Sequence, residues 1–175
     1  MTAHTEPGPI KEAYEGYAPA LKRPPFGAYA VMSAIFNTAF AGALVTASRS
    51  GRLPDRIEAG DVVLVGVATH KIARLISKQK VTSFLRAPFT ELEAKGGPGE
   101  VEERPRGGGL RGAVGELLVC PYCLSLWTSG ALHVGLIFAP RATRTVASTF
   151  TALTVADFLH VAYKAAEQKG LESGG

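Results

Sequence analysis

No charged residue occurs between Phe26 and Ser48, and Val31, Met32, Ile35, Phe36, Phe40, Leu44 and Val45 are spread all round a helix among small residues. A helix hydrophobic on every side has to be buried, and about 20 such residues are what a bilayer crossing requires. A soluble core helix seldom runs this long without a charge, so residues 26–48 read as a membrane span. The same pattern, with fewer apolar residues, recurs at 61–77, 113–139 and 145–163. The expectation is an all-α, polytopic membrane protein with about four transmembrane helices. Its membrane domain covers 26–163, between a polar tail at 1–25 and a flexible tail at 164–175.

The connectors are as informative as the spans. Residues 49–60 form a short polar reversal, and Asp61 suits the N-cap of the second segment. That segment ends in cations, and His70, Arg74 and Ser77 recur at helical spacing on one face. Residues 78–112 form a basic, glycine-rich connector. Within it Lys78, Lys80 and Arg86 read as a lipid-facing basic surface, and 94–112 as a flexible loop. Glycines between arginines could cradle a phosphate, but no strand followed by a P-loop or dinucleotide fingerprint precedes them.

In the third segment Pro121 leaves two readings open. Either the helix begins at Pro121 with Cys120 as its N-cap, or one kinked helix runs from Ala113. Both set Cys120 and Cys123 side by side. The fourth segment carries Asp157 and His160, three apart on one face. Each apolar residue there favours insertion by roughly 0.3–0.6 kcal/mol, whereas an aspartate at the membrane centre opposes it by about 2.5–3.5 kcal/mol. Asp157 therefore needs an interfacial depth or a cation, with Lys71 or Arg74 nearest and Glu116 needing a similar partner.

Charge sets the orientation. Fourteen lysines and arginines fall in the N-terminal tail, in 71–111 and after Tyr163, against five in 49–60 and 141–144. The positive-inside rule then puts both termini and the 78–112 connector in the cytoplasm. Since the net charge of +4 resides in connectors, it speaks for topology rather than nucleic-acid binding. Two cysteines three apart, with none elsewhere, are no extracellular disulfide framework.

Several stretches together resemble a known family. They are Ala68-Thr69-His70-Lys71-Ile72-Ala73-Arg74-Leu75-Ile76, Arg86-Ala87-Pro88-Phe89-Thr90, Arg104-Pro105-Arg106-Gly107, and Gly115-Glu116-Leu117-Leu118 leading into Cys120-Pro121-Tyr122-Cys123 and Trp127. The resemblance is to a small bacterial integral-membrane family known only as a domain of unknown function, DUF1360-like, over roughly residues 27–163. It implies a membrane protein and no activity.

Three functions compete. The first is a structural or partner-binding envelope component, in which Lys71, Arg74, Glu116 and Asp157 form ion pairs near the cytoplasmic face. Its partners would be membrane lipids and a protein at the cytoplasmic connector. The second is a zinc or iron site using Cys120, Cys123, His70 and His160, the mixed thiolate and imidazole set that tetrahedral metals accept. The third is thiol–disulfide chemistry at Cys120 and Cys123, because Cys-Pro-Tyr-Cys resembles the glutaredoxin tetrapeptide; the βαβ context of that fold is missing. The balance leans away from an enzyme and toward the first.

Overall fold

A computed structural model describes residue 14, residues 16–19 and residues 24–173, the side chains of 171–173 excepted. The chain is mostly helical. Helix α1 spans Phe26–Arg49 and α2 spans Ala59–Lys78; a 3-10 turn, Lys80–Thr82, leads into the short α3, Ser83–Arg86. An antiparallel hairpin follows, β1 Thr90–Lys95 and β2 Val101–Pro105, and then α4 Gly109–Val119, α5 Pro121–Phe138 and α6 Pro140–Ser173. The N-terminal tail expected at 1–25 lies largely outside the described residues.

Helix α2 is the centre of the bundle. It packs most extensively on α5 and α6, and Val65, Ala68, Thr69, Lys71, Ala73 and Ser77 are buried along it. Its neighbours take the opposite role: α1 buries only Ala47, and large apolar side chains such as Val31, Ile35 and Val45 are exposed. Two helices, Phe26–Arg49 and Pro140–Gly170, are long and apolar enough to cross a membrane, and the bent pair Gly109–Val119 with Pro121–Phe138 would make a third. Helix α2 is not among them, because it carries charges. Of those charges only Lys71 is buried; Asp61, Arg74 and Lys78 lie toward the two ends of the helix.

The two open readings of the third segment are resolved at Cys120. Helix α4 ends at Val119 and α5 begins at Pro121, with an angle of 86° between them. Proline is favoured at the first helical position, where its missing N–H is not needed, and Cys120 takes an extended backbone as N-cap. Its Sγ accepts a hydrogen bond from the Cys123 N–H at 3.2 Å. The expected single segment 113–139 is thus two helices. Gly130 lets α1 approach α5, since a Cβ there would stand 2.9 Å from the Phe36 ring. Phe36 in turn meets Trp127 edge-on at 5.3 Å.

Two further expectations are corrected. The connector is ordered by the hairpin, whose register pairs Thr90 with Pro105 and Lys95 with Val101 and is irregular between Leu92 and Ala94. Its turn uses Gly99 at φ +75°, a conformation that suits glycine. The final helix begins at Pro140, with no separate connector at 141–144, and continues beyond Tyr163 to Ser173. At 1.5 Å per residue it is roughly 50 Å long, more than a bilayer core.

Candidate functional site

The hairpin is clamped to the end of α2 by charge. Arg86 is fully buried and donates through Nε and Nη2 to the Glu103 carboxylate, both at 2.9 Å. It donates further to the carbonyls of Ile76 and Gln79 and to Thr82 Oγ1. Arg86 is therefore no part of a lipid-facing surface; its planar fork joins three chain segments. Burial pushes the Glu103 carboxyl up, but hydrogen bonds from Arg86 and Thr90 and the charges of Arg86 and Lys78 outweigh it and hold Glu103 below its usual value.

Two more bridges run alongside. Arg74 grips Glu100 through two bonds of 2.9 Å, and Lys78 reaches Glu102 at 2.7 Å. The spacing explains the match. Four residues on a helix advance about 6 Å and two on a strand about 6.6 Å, so cations at 74 and 78 face acids at 100 and 102. Sequence reasoning missed these three glutamates, although that alternation was visible. Lys80 is exposed, and its backbone N–H bonds Gly99 O at 2.9 Å. Gly115 brings α4 onto the hairpin base, where a Cβ would stand 2.5 Å from Phe89 O.

One cavity, of about 580 Å³, opens between α2, α6 and the hairpin turn, with His70, Lys71, Arg74, Asp157, His160 and Lys164 among its lining. The Lys71 ammonium, on a buried side chain, lies 2.5 Å from Asp157 Oδ2. Lys71 is thus the cation that meets Asp157, while Arg74 is committed to Glu100.

Cys123 belongs to a different cavity, of about 550 Å³ between α1, α4 and α5, lined also by Tyr29, Phe36, Glu116 and Trp127 among others. Glu116 accepts a hydrogen bond from the Tyr29 hydroxyl rather than pairing with a cation. Cys120 and Cys123 are free thiols. His70 and His160 line the first cavity and Cys123 the second, so the four expected metal ligands are divided between two places. Among the described residues no three His, Cys, Asp or Glu side chains gather where they could hold a metal ion. His133 is elsewhere again, beside Leu136, Ile137 and Arg144 at the opposite end of the bundle.

The family described as a protein of unknown function, DUF1360, matches residues 64–163, from α2 through the hairpin to α6. The chain belongs to this family. It is 33% identical over 84 residues to a sporulation protein, YjcA, of Bacillus subtilis strain 168, covering 46% of this chain and 71% of that protein. No solved structure shows a significant match. The long apolar helices of this family member point to membrane association.

Proposed function

We propose that this DUF1360 protein is a structural, partner-binding component of the bacterial envelope that crosses the membrane four times, through α1, α2, α5 and α6. The observation that carries the reading is the placement of α2. Of its charged residues only Lys71 is buried, paired with Asp157 of α6, and Asp61, Arg74 and Lys78 are paired with Arg144, Glu100 and Glu102 toward its two ends, so its middle can cross lipid. Helices α1 and α6, which expose apolar side chains, then meet the lipid. The hairpin end carries the larger cationic excess and faces the cytoplasm, where the hairpin is a rigid docking platform for a protein partner. The related protein named for sporulation suggests spore formation as a setting in which to look for that partner.

The test is resistance of the membrane-bound protein to alkaline carbonate, followed by site-directed photo-crosslinking from Leu92 and Glu93 on the exposed hairpin. A protein retained in the membrane and crosslinked to one defined partner from either position supports the proposal. Release by carbonate, or crosslinks to lipid alone, would contradict it.

A thiol-redox role is a second reading, favoured by the adjacency of Cys120 Sγ and the Cys123 N–H at a helix start. It requires a Cys120–Cys123 disulfide to form under mild oxidation.

A further inference from the structure

We propose that the cavity between α2, α6 and the hairpin turn binds a monoanionic phosphate diester, presented as the headgroup of an anionic phospholipid. Charge is the first argument. Lys71, Arg74 and Lys164 line the cavity against the carboxylates of Asp157 and Glu100, a surplus of one positive charge among the lysine, arginine and carboxylate groups. Lys71 and Arg74 are neutralised by their carboxylates. The surplus therefore resides on Lys164, which makes no ion pair among the described residues. A phosphate diester carries the one negative charge that balances it.

Hydrogen-bonding capacity is the second argument. His70, His160 and the Gln79 amide line the same cavity and have no side-chain hydrogen bond among the described residues, so each can donate to phosphate oxygens. A volume of about 580 Å³ accommodates a headgroup.

The apolar wall of the cavity separates a lipid from a free phosphate ion. Phe158 and Val161 form part of the cavity wall, yet they are 70% and 68% exposed. They continue into Val155 and Leu159 on the exposed apolar surface of α6, a helix long and apolar enough to cross a membrane. A ligand with its phosphate against Lys164 would lay an acyl chain along these side chains, whereas inorganic phosphate would leave them uncovered. Basic pockets between membrane helices are established sites for anionic headgroups. This inference does not rest on which side of the membrane the hairpin faces.

The experiment uses the full chain purified in mild detergent. It titrates three probes: short-chain phosphatidylglycerol, phosphatidylcholine with the same chains, and inorganic phosphate. The expected result is tighter binding of phosphatidylglycerol than of phosphatidylcholine, with no competition from inorganic phosphate at equal concentration. Lys164→Gln should weaken phosphatidylglycerol binding about fivefold. Lys164→Arg should retain it, and Lys169→Gln, one turn or more beyond the cavity on the same helix, should leave it unchanged. Lys164 is exposed and outside every ion pair described, so its substitution leaves the fold intact. Equal affinity for the two lipids, or indifference to Lys164→Gln, would overturn the site. Competition by inorganic phosphate would overturn the lipid assignment. Binding in detergent is independent of topology and partner capture, so its failure is distinguishable from failure of the envelope reading.

Discussion

The two ends of the bundle each hold an arginine forked onto a carboxylate, and their geometries nearly coincide. Arg86 meets Glu103 through bonds of 2.9 and 2.9 Å, and Arg144 meets Asp61 through bonds of 2.9 and 2.7 Å. Their surroundings differ. The side chains of Arg86 and Glu103 are 0% and 6% exposed, whereas those of Arg144 and Asp61 are 48% and 16% exposed. Breaking a buried pair strands a charge away from water, while an exposed arginine is simply solvated. Burial, rather than bond length, therefore separates a pair that organises the hairpin end from one that decorates the far end.

Thermal unfolding in detergent is the measurement that can break this contrast. Glu103→Gln should cost most, about 3–5 kcal/mol, because it leaves the buried Arg86 guanidinium without its counter-ion. A loss no larger than that of an exposed-pair variant would erase the distinction. Gly115→Ala comes next, at about 1–3 kcal/mol, since its Cβ has the Phe89 carbonyl and the rigid Cα and Cβ of Pro105 to push against.

The Lys71–Asp157 pair is intermediate, for the lysine is buried and the aspartate half exposed. Asp157→Asn should destabilise by about 1–3 kcal/mol because the buried ammonium loses its charge partner. Lys71→Met should cost less, because the remaining carboxylate is half exposed and opens onto the cavity beside His160 and Lys164 rather than onto lipid. The reverse order would show that Asp157, rather than Lys71, is the buried member.

Acid provides a finer test. Glu103 is held below the ordinary carboxylate value of 4.5, so the stability it contributes is present above that value and lost as pH falls through its lower folded value. The melting temperature should drop in that acidic window, and Glu103→Gln, which has no proton to gain there, should show a smaller drop. Asp61→Asn closes the series with little or no change, because the Arg144 it leaves behind is half exposed.

Much of the bundle was legible in the chain because lipid leaves few choices for an apolar segment. The uncharged run at 26–48 corresponds to α1, and Pro121 marked a helix start that a proline tolerates. The need of Asp157 for a cation followed from the cost of a charge in lipid, and Lys71 meets it at 2.5 Å. The hairpin was hidden. Thr90–Lys95 and Val101–Pro105 are rich in glutamate and poor in β-branched residues, so their pairing reflects tertiary charge matching rather than strand propensity. The burial of Arg86 was hidden for the same reason, since only the folded hairpin brings Glu103 to it. The division of His70 and His160 from Cys123 between separate cavities could not be read from depth. Residues at one level of a bundle can face different neighbours.

The claim on which the most depends is that the charged helix α2 crosses the membrane. It is tested most directly by cysteine labelling of intact cells, with the native thiols replaced by Cys120→Ser and Cys123→Ser so that the helix cap is retained. Single Asp55→Cys and Gly97→Cys variants then flank α2, and a membrane-impermeant maleimide reports the side of each. Labelling at position 55 in intact cells, and at position 97 only after permeabilisation, is the result expected if α2 spans the bilayer. Labelling of both positions from the same side would contradict it.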